Sequence, residues 1–179
     1  MRALTALVVT AGSAVQPVTA LAATGVPCHV RNVSQDTHGT SFAVMVAAAL
    51  PDDLLLVRGV CTGGAVIAIP LTIRGAGTDP TLTGRDRSRV IKVTKEARVI
   101  IDGLRITHGR PASTWGGGGA INWGSLTLIR TTFARNGEWG ITNRGSMVIV
   151  DSIRRRALTT TLLTDGVASV DGDQLAGDV

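Results

Sequence analysis

Short aliphatic segments recur along this chain at nearly constant spacing. Residues 122–128 (NWGSLTL) and 143–149 (NRGSMVI) match position by position at an offset of 21, and residues 99–101 (VII) enter the same frame 27 positions before Leu126. The alignment produces columns of apolar residues, namely Val99, Leu126 and Met147, then Ile101, Leu128 and Ile149, and finally Ile106 with Phe133. Because alternate residues of a β-strand face the same side, these columns predict strands that stack in register.

A repeat of about 20 to 30 residues with three short strands per turn is typical of a solenoid. A leucine-rich repeat would show its own Leu spacing and a helix-sized return segment. A β-sandwich would have longer strands without constant offsets. We therefore expect an all-β fold, a right-handed parallel β-helix of about four to five coils that spans residues 54–156.

The amino-acid composition and the residues at the expected corners both agree with a solenoid made of thin, repeated layers. Only 3% of the residues are aromatic, whereas the chain holds 22 glycines, so the core must be built from small aliphatic side chains. Four glycines fall where corners need a positive φ or close backbone approach, namely Gly103, Gly109, Gly124 and Gly145. Asn122 and Asn143 share one column before a corner, and stacked amides there can hydrogen-bond along the axis.

The two ends of the chain differ from the repeat. Residues 1–23 have a basic start, a short apolar run and an A-x-A site at residues 20–22, which predicts a secretory signal peptide; Gln16 and Pro17 argue against an ordinary helix. Residues 24–53 are expected to form an N-terminal strand and a capping helix over Ser41–Leu50, with Phe42, Val46 and Leu50 on one face beside Met45. No triplet keeps the frame beyond Arg156, so residues 157–179 are a degenerate last coil, a cap or a tail.

Cys28 and Cys61 are the two cysteines of the chain. In an exported protein an even pair predicts one disulfide, which would clip the start of the mature chain onto the first strands. Free buried thiols are the alternative. The three histidines show no ligand spacing with these cysteines, so neither a metal site nor a cofactor is predicted.

The stretch between residues 57 and 153 resembles the secreted right-handed parallel β-helix repeat proteins of the pectin-lyase-like superfamily. The matching segments are residues 55–61 (LLVRGVC), 71–75 (LTIRG), 103–109 (GLRITHG), 116–122 (GGGGAIN) and 124–128 (GSLTL). The resemblance implies a fold more firmly than an activity, since the superfamily includes lyases, hydrolases and epimerases. Its lyases hold Ca²⁺ with acidic side chains on one outer face, and its hydrolases use clustered Asp carboxylates.

The repeat frame does not supply such an acidic cluster. Asp102 aligns with Ile129 and Val150, and no column contains two acids. The remaining catalytic candidates are Asp102, Arg105 and His108. The simpler alternative is that Asp102 and Arg105 pair with each other across a corner and that His108 is a turn residue. The sequence thus points away from catalysis.

Two features suggest a binding role. Trp115, Trp123 and Trp139 flank corners, where they would stack on sugar rings or pack against the edge of the core. Residues 85–110 hold eight basic residues against three acidic ones, in a chain of net charge +5; this basic middle would attract an acidic polysaccharide or is a solvated face. No aromatic platform accompanies the patch, so nucleic acid is not expected.

We therefore expect a secreted, non-catalytic β-helix protein that acts as a cell-surface or extracellular polysaccharide-binding module without a membrane span. The alternative is a short polysaccharide lyase or glycoside hydrolase that acts on an acidic polysaccharide of the pectate or alginate type. A third interpretation is a truncated or frame-altered product that folds poorly.

Overall fold

The computed structural model describes residues 25–111, 117–137, 140–155 and 169–170. Four expectations from the sequence lie outside these residues: the signal peptide at residues 1–23, Trp115, Trp139 and nearly all of the segment 157–179. Within the described ranges there is no helix with the length and apolarity that crossing a bilayer requires.

The described chain is built almost entirely from short strands. One helix, α1 (Phe42–Ala48), interrupts them near the start. The strands are β1 (His29–Asn32), β2 (Thr37–Gly39), β3 (Asp53–Arg58), β4 (Val60–Thr62), β5 (Ala65–Ile67), β6 (Leu71–Gly75), β7 (Thr81–Thr83), β8 (Ile91–Val93), β9 (Arg98–Asp102), β10 (Arg105–Thr107), β11 (Ala120–Asn122), β12 (Ser125–Ile129), β13 (Thr132–Ala134), β14 (Ile141–Asn143), β15 (Ser146–Val150), β16 (Ile153–Arg155) and β17 (Ser169–Val170).

Three stacks of parallel strands form a β-solenoid of about four turns. The eight-stranded sheet has the order β17-β15-β12-β9-β6-β3-β1-β2, the five-stranded sheet β16-β13-β10-β7-β4, and the four-stranded sheet β14-β11-β8-β5. From β3 to β14 each turn of the chain adds one parallel strand to every sheet, whereas β1 and β2 extend the eight-stranded sheet with antiparallel pairs. The predicted parallel β-helix architecture is confirmed.

The columns predicted from the repeat are the register of the sheets. Leu126 pairs with Val99 on one side and with Met147 on the other, and Phe133 lies opposite Ile106. These five side chains are buried, because each apolar layer covers the one below it. Burial of this kind contributes roughly 25 cal/mol for each Å² of apolar surface removed from water.

The capping helix forms, but it is shorter than the sequence suggested. Ser41 is its N-cap, and Phe42, Met45 and Val46 are buried. The helix ends at Ala48, and Leu50 is 59% exposed, so the expectation that Leu50 faces the core is wrong. The reason is local: Ala49 is already extended at the C-cap, and the Leu50 N–H donates to the Asp53 carboxylate, Oδ2, at 2.7 Å.

The start of the described chain is fastened to the first turn of the solenoid. Strand β1 pairs antiparallel with β3, and the Val60 N–H donates to the carbonyl of Val26 at 3.0 Å. The predicted disulfide between Cys28 and Cys61 is present. These contacts place residues 25–28 alongside β4 at the edge of the five-stranded sheet.

At the opposite end, strand β17 extends the eight-stranded sheet. Ser169 pairs with Val148 and Val170 with Ile149, both in parallel. The offset of 21 residues equals that between Leu126 and Met147. In the five-stranded sheet, the backbone of Arg154 takes the position in register with Phe133, as the repeat frame predicts.

Candidate functional site

Asp102 lies at the end of β9 and is held by two arginines. The Arg74 Nε atom is 3.2 Å from one carboxylate oxygen, and the Arg130 guanidinium contacts the other. The Asp102 side chain is only 7% exposed. Since both of its oxygens are engaged, this carboxylate links three successive turns and is poorly placed to take a proton from a substrate. The Asp102 partners are therefore Arg74 and Arg130, and the expected pairing with Arg105 is replaced.

Arg105 and His108 lie on and just after β10. Arg105 is half-exposed on the outer face of the five-stranded sheet, in register with Thr81 and Thr132. His108 has a φ of 50°, and its Nδ1 is 3.0 Å from the hydroxyl oxygen of Thr107. Asp102 lies on the eight-stranded sheet, so the fold places it on a different sheet from Arg105 and His108.

Trp123 occupies the corner between β11 and β12. The Arg144 guanidinium lies over its ring, 5.1 Å from the centroid, and the indole nitrogen is buried without a hydrogen-bond partner in the described structure. A sugar that stacks on an aromatic ring needs a free face. Arg144 covers one of the two faces, so sugar stacking at Trp123 would be restricted to the other.

Basic side chains line up at the corner between the five-stranded and the four-stranded sheets. His108 and Arg135 come directly after β10 and β13, and Arg85 comes one residue further along, after β7 and Gly84; the three strands stack directly over one another. The Asp86 N–H donates to the His108 carbonyl at 2.7 Å, and the His108 N–H donates to the Arg135 carbonyl at 3.1 Å. Each of the three residues has a positive φ of 50° to 52°, and Asp86, next to Arg85, also has a positive φ, of 56°.

Arg110 joins this group from the loop that follows β10. Its N–H donates to the Ser88 carbonyl at 2.9 Å, which fixes its backbone against the turn below, and its side chain lies beside Gly137. We call Arg85, His108, Arg110 and Arg135 the basic ridge.

The ridge arginines are open to solvent. Arg85, Arg110 and Arg135 are exposed, and the ion pairs among the described residues involve other arginines. Asp86 is an exposed acidic neighbour and offsets part of the charge. Stacked strands are about 4.8 Å apart, and Arg85 and Arg135 follow strands two turns apart, so their charges recur at about 10 Å along the solenoid.

Arg89 lies beneath this corner with its Nε donating to the Gly117 carbonyl at 2.9 Å. Burial lowers the pKa of the Arg89 guanidinium below its ordinary value. Guanidinium groups nonetheless stay charged at neutral pH, so Arg89 adds to the positive potential and anchors the glycine-rich loop.

An open cleft of about 690 Å³ adjoins the N-terminal end of the ridge. It is lined by Gly25, Val26, Pro27, Cys28, Thr40, Ser41, Val60, Thr62 and Arg85. The sequence alone did not reveal this cleft, because its walls come from segments far apart in the chain. It also did not reveal Arg74 as a partner of Asp102, although the shift of 28 positions from β6 to β9 aligns the two.

Among the described residues, no three His, Cys, Asp or Glu side chains come together in a group that could hold a metal ion. Comparison of the chain with protein-family models, with curated proteins and with solved structures finds no match. The description that the structure supports is that of a parallel β-solenoid of about four turns, with one short helix and a disulfide.

Proposed function

We propose that this chain is an exported, non-catalytic β-solenoid that binds acidic polysaccharide along the basic ridge. The observation that carries the proposal is the placement of Arg85, His108 and Arg135 on consecutive turns at one corner. Such a row suits a linear polyanion, whose charges repeat along its length as the cations of the ridge do.

Export is part of the same proposal. It is supported by the secretory pattern of residues 1–23 and by the Cys28–Cys61 disulfide, because disulfides persist mainly in oxidising compartments. A distant relationship to the pectin-lyase-like superfamily is likewise proposed, on the motifs of the sequence and the parallel stacking of the strands.

The test is binding of the purified chain to polygalacturonate and to alginate at about 20 mM and about 200 mM salt. We expect binding that weakens at the higher salt, since exposed charges are screened over a Debye length of about 10 Å at 0.1 M. The double substitution Arg110→Ala/Arg135→Ala should weaken binding about tenfold, because each exposed ion pair contributes up to about 1 kcal/mol.

The control is Lys92→Ala/Arg98→Ala, which removes the same charge from the outer faces of the other two sheets. Both control side chains are exposed. Equal weakening by the two double variants would show that net charge, and not the ridge, attracts the polymer, and would overturn the proposal.

The enzymatic alternative has its own measurement on the same samples. Release of unsaturated uronate, with and without Ca²⁺, reports lyase activity, and new reducing ends report hydrolysis. Product formation by the wild-type chain that disappears in Asp102→Ala would replace a binding function with catalysis.

A further inference from the structure

The cleft at the N-terminal end of the ridge has a wall that is held by a covalent bond. Residues 25–28 run beside β4, where Pro27 bridges to Val60. The disulfide between Cys28 and Cys61 fixes the far end of this short segment. The wall therefore depends on the disulfide and on a few backbone contacts.

The opposite side of the cleft is made from other parts of the fold. Thr40 and Ser41 come from the turn before α1, Thr62 ends β4, and Arg85 follows β7. Ligand sites for small molecules usually enclose roughly 300–1,000 Å³, and the cleft lies within that range at about 690 Å³.

The lining combines three chemical features that a charged sugar requires. Hydroxyl groups on Thr40, Ser41 and Thr62 can exchange hydrogen bonds with sugar hydroxyls. Apolar surface comes from Val26, Pro27 and Val60, and it suits the apolar face of a sugar ring. The guanidinium of Arg85, a planar fork of N–H donors, matches the two oxygens of a carboxylate or a sulfate ester.

The hydroxyl of Ser41 keeps its proton available. In the structure its oxygen accepts a hydrogen bond from the Val44 N–H at 3.4 Å, so the hydroxyl can still donate to a ligand. Thr40, Thr62 and Arg85 are exposed to the cleft side of the molecule. No ion pair among the described residues occupies Arg85.

From this lining we propose that the cleft binds the terminal unit of a saccharide that carries one anionic group, and that the Cys28–Cys61 disulfide maintains the site. The proposal rests on the proposed function, because Arg85 belongs to both the cleft and the ridge. Residues 25–28 and the turn before α1 lie past Arg85 at the N-terminal end of the ridge. A polymer that follows the ridge would therefore contact them with its terminal sugar unit.

The experiment is titration of the full chain with galacturonate, galactose 6-sulfate and galactose, followed by calorimetry or by NMR shifts. Binding of galacturonate, of the sulfate or of both, without binding of galactose, supports the proposal, and the two anionic arms decide between carboxylate and sulfate. Equal binding of galactose, or no binding of either anion, would overturn it.

Two matched variants test the assignment of residues. Arg85→Gln should weaken binding of the anionic sugar at least tenfold, whereas Arg87→Gln removes the same charge from the same loop outside the lining and should leave binding within twofold. Thr62→Val keeps the shape of the side chain without its hydroxyl, and we expect a weakening of about threefold. Thermal melts of each variant establish that the fold is retained. Equal effects of the Arg85 and Arg87 substitutions would contradict the proposal.

The disulfide separates this proposal from the proposed function. Mild reduction, or Cys28→Ser/Cys61→Ser, should weaken monosaccharide binding at least tenfold while polymer binding along Arg110 and Arg135 persists. Unchanged monosaccharide affinity after reduction would refute a role for the bond. Weaker polymer binding in Arg110→Ala/Arg135→Ala, with monosaccharide binding intact, would show that the cleft binds the monosaccharide without Arg110 and Arg135, although it shares Arg85 with the ridge.

Discussion

The side-chain amide of Asn122 donates to the Oδ1 atom of Asn143 across one turn of the solenoid, at 2.7 Å. Both side chains are buried. Each amide oxygen also accepts the backbone N–H of the residue two positions later, from Gly124 at 3.1 Å and from Gly145 at 3.3 Å. The two asparagines thus hold the corner between the four-stranded and eight-stranded sheets, as the sequence predicted.

Replacing Asn122 with Ala should lower the free energy of unfolding by about 1–3 kcal/mol. The substitution leaves the Gly124 N–H and the Ser146 carbonyl, which the amide contacts at 3.1 Å and 2.8 Å, without their partner, and a buried polar group without a hydrogen bond is destabilising by that amount. Urea denaturation measures the change. Arg144→Ala, at the exposed neighbour of the second asparagine, is the comparison; an equal loss there would argue against the ladder.

Asn122→Asp should make stability depend on pH. The new carboxylate would face the Asn143 Oδ1 atom and the Ser146 carbonyl, which now accept from the amide, so its pKa in the folded protein should rise above the unfolded value of about 3.9. The variant should be less stable than wild type at neutral pH. This difference should shrink as the pH falls through the pKa of the carboxyl group in the folded protein towards its pKa in the unfolded protein. Denaturation curves between about pH 7 and pH 4 test this, and a constant difference would contradict it.

Asp53 should contribute stability that acid removes. The amide of Asn32 and the N–H of Leu50 donate to its carboxylate, both at 2.7 Å, and they hold the pKa of Asp53 below its ordinary value of 3.8. A lowered pKa means stabilisation that is present above about pH 4 and lost as pH falls through the folded pKa. Thermal melts of wild type and Asp53→Asn should therefore differ most at neutral pH and converge in acid.

The neighbouring residue supplies the control for this prediction. Asp52 is exposed and has a φ of 67°, a conformation that Asn tolerates. Asp52→Asn changes the same charge one position away, and its melting temperature should follow wild type at every pH. A gap between Asp53→Asn and wild type that persists unchanged in acid would contradict the linkage.

Gly59→Ala should be much more destabilising than Gly103→Ala. Both glycines have a φ of 65°, but a Cβ at Gly59 would lie 2.3 Å from the carbonyl oxygens of Val26 and Pro27, whereas nothing lies within 4 Å of one at Gly103. The left-handed conformation alone should cost about 1–2 kcal/mol in each variant. The clash should add about 1–3 kcal/mol to the destabilisation at Gly59. Denaturant unfolding measures both variants, and equal losses of stability would show that residues 25–28 can move away from the new methyl group without cost.

Removing the disulfide should lower stability by about 3–4 kcal/mol. Cys28 and Cys61 are 33 positions apart, and closing a loop of that size restricts the unfolded chain by roughly this amount. Melting curves with and without reductant measure the loss, and Cys28→Ser/Cys61→Ser should show no response to reductant. A reductant effect that remains in the double variant would point to another cause.

Much of the fold was predictable because a solenoid repeats its contacts. Leu126 and Met147 could be placed against one another from spacing alone, since a 21-residue offset recurs where turns have equal length. Arg74 was not placed beside Asp102 for the opposite reason: β6 and β9 are offset by 28 positions, which differs from the offsets of 27 and 21 positions in the next two turns.

The ends of the repeat were predicted less well, since their contacts depend on tertiary packing. Leu50 fits the helical spacing of Phe42 and Val46. In the structure, however, the Leu50 N–H donates to the Asp53 carboxylate, and this hydrogen bond forms a turn after the helix. Ser169 and Val170 supply only one apolar residue between them, too little for the aliphatic pattern to show a strand. The cleft could not be foreseen, because its walls are brought together only by the folded chain.

Differences in turn length are concentrated at a single corner of the molecule. The connections between the five-stranded and four-stranded sheets range from residues 63–64 to 84–90, 108–119 and 135–140, whereas most other corners are closed by only a few residues. Evolution or a protein engineer can therefore vary or graft recognition sequences at this corner without shifting the register of the rungs beneath. The solenoid serves as a constant frame on which specificity can be diversified one loop at a time.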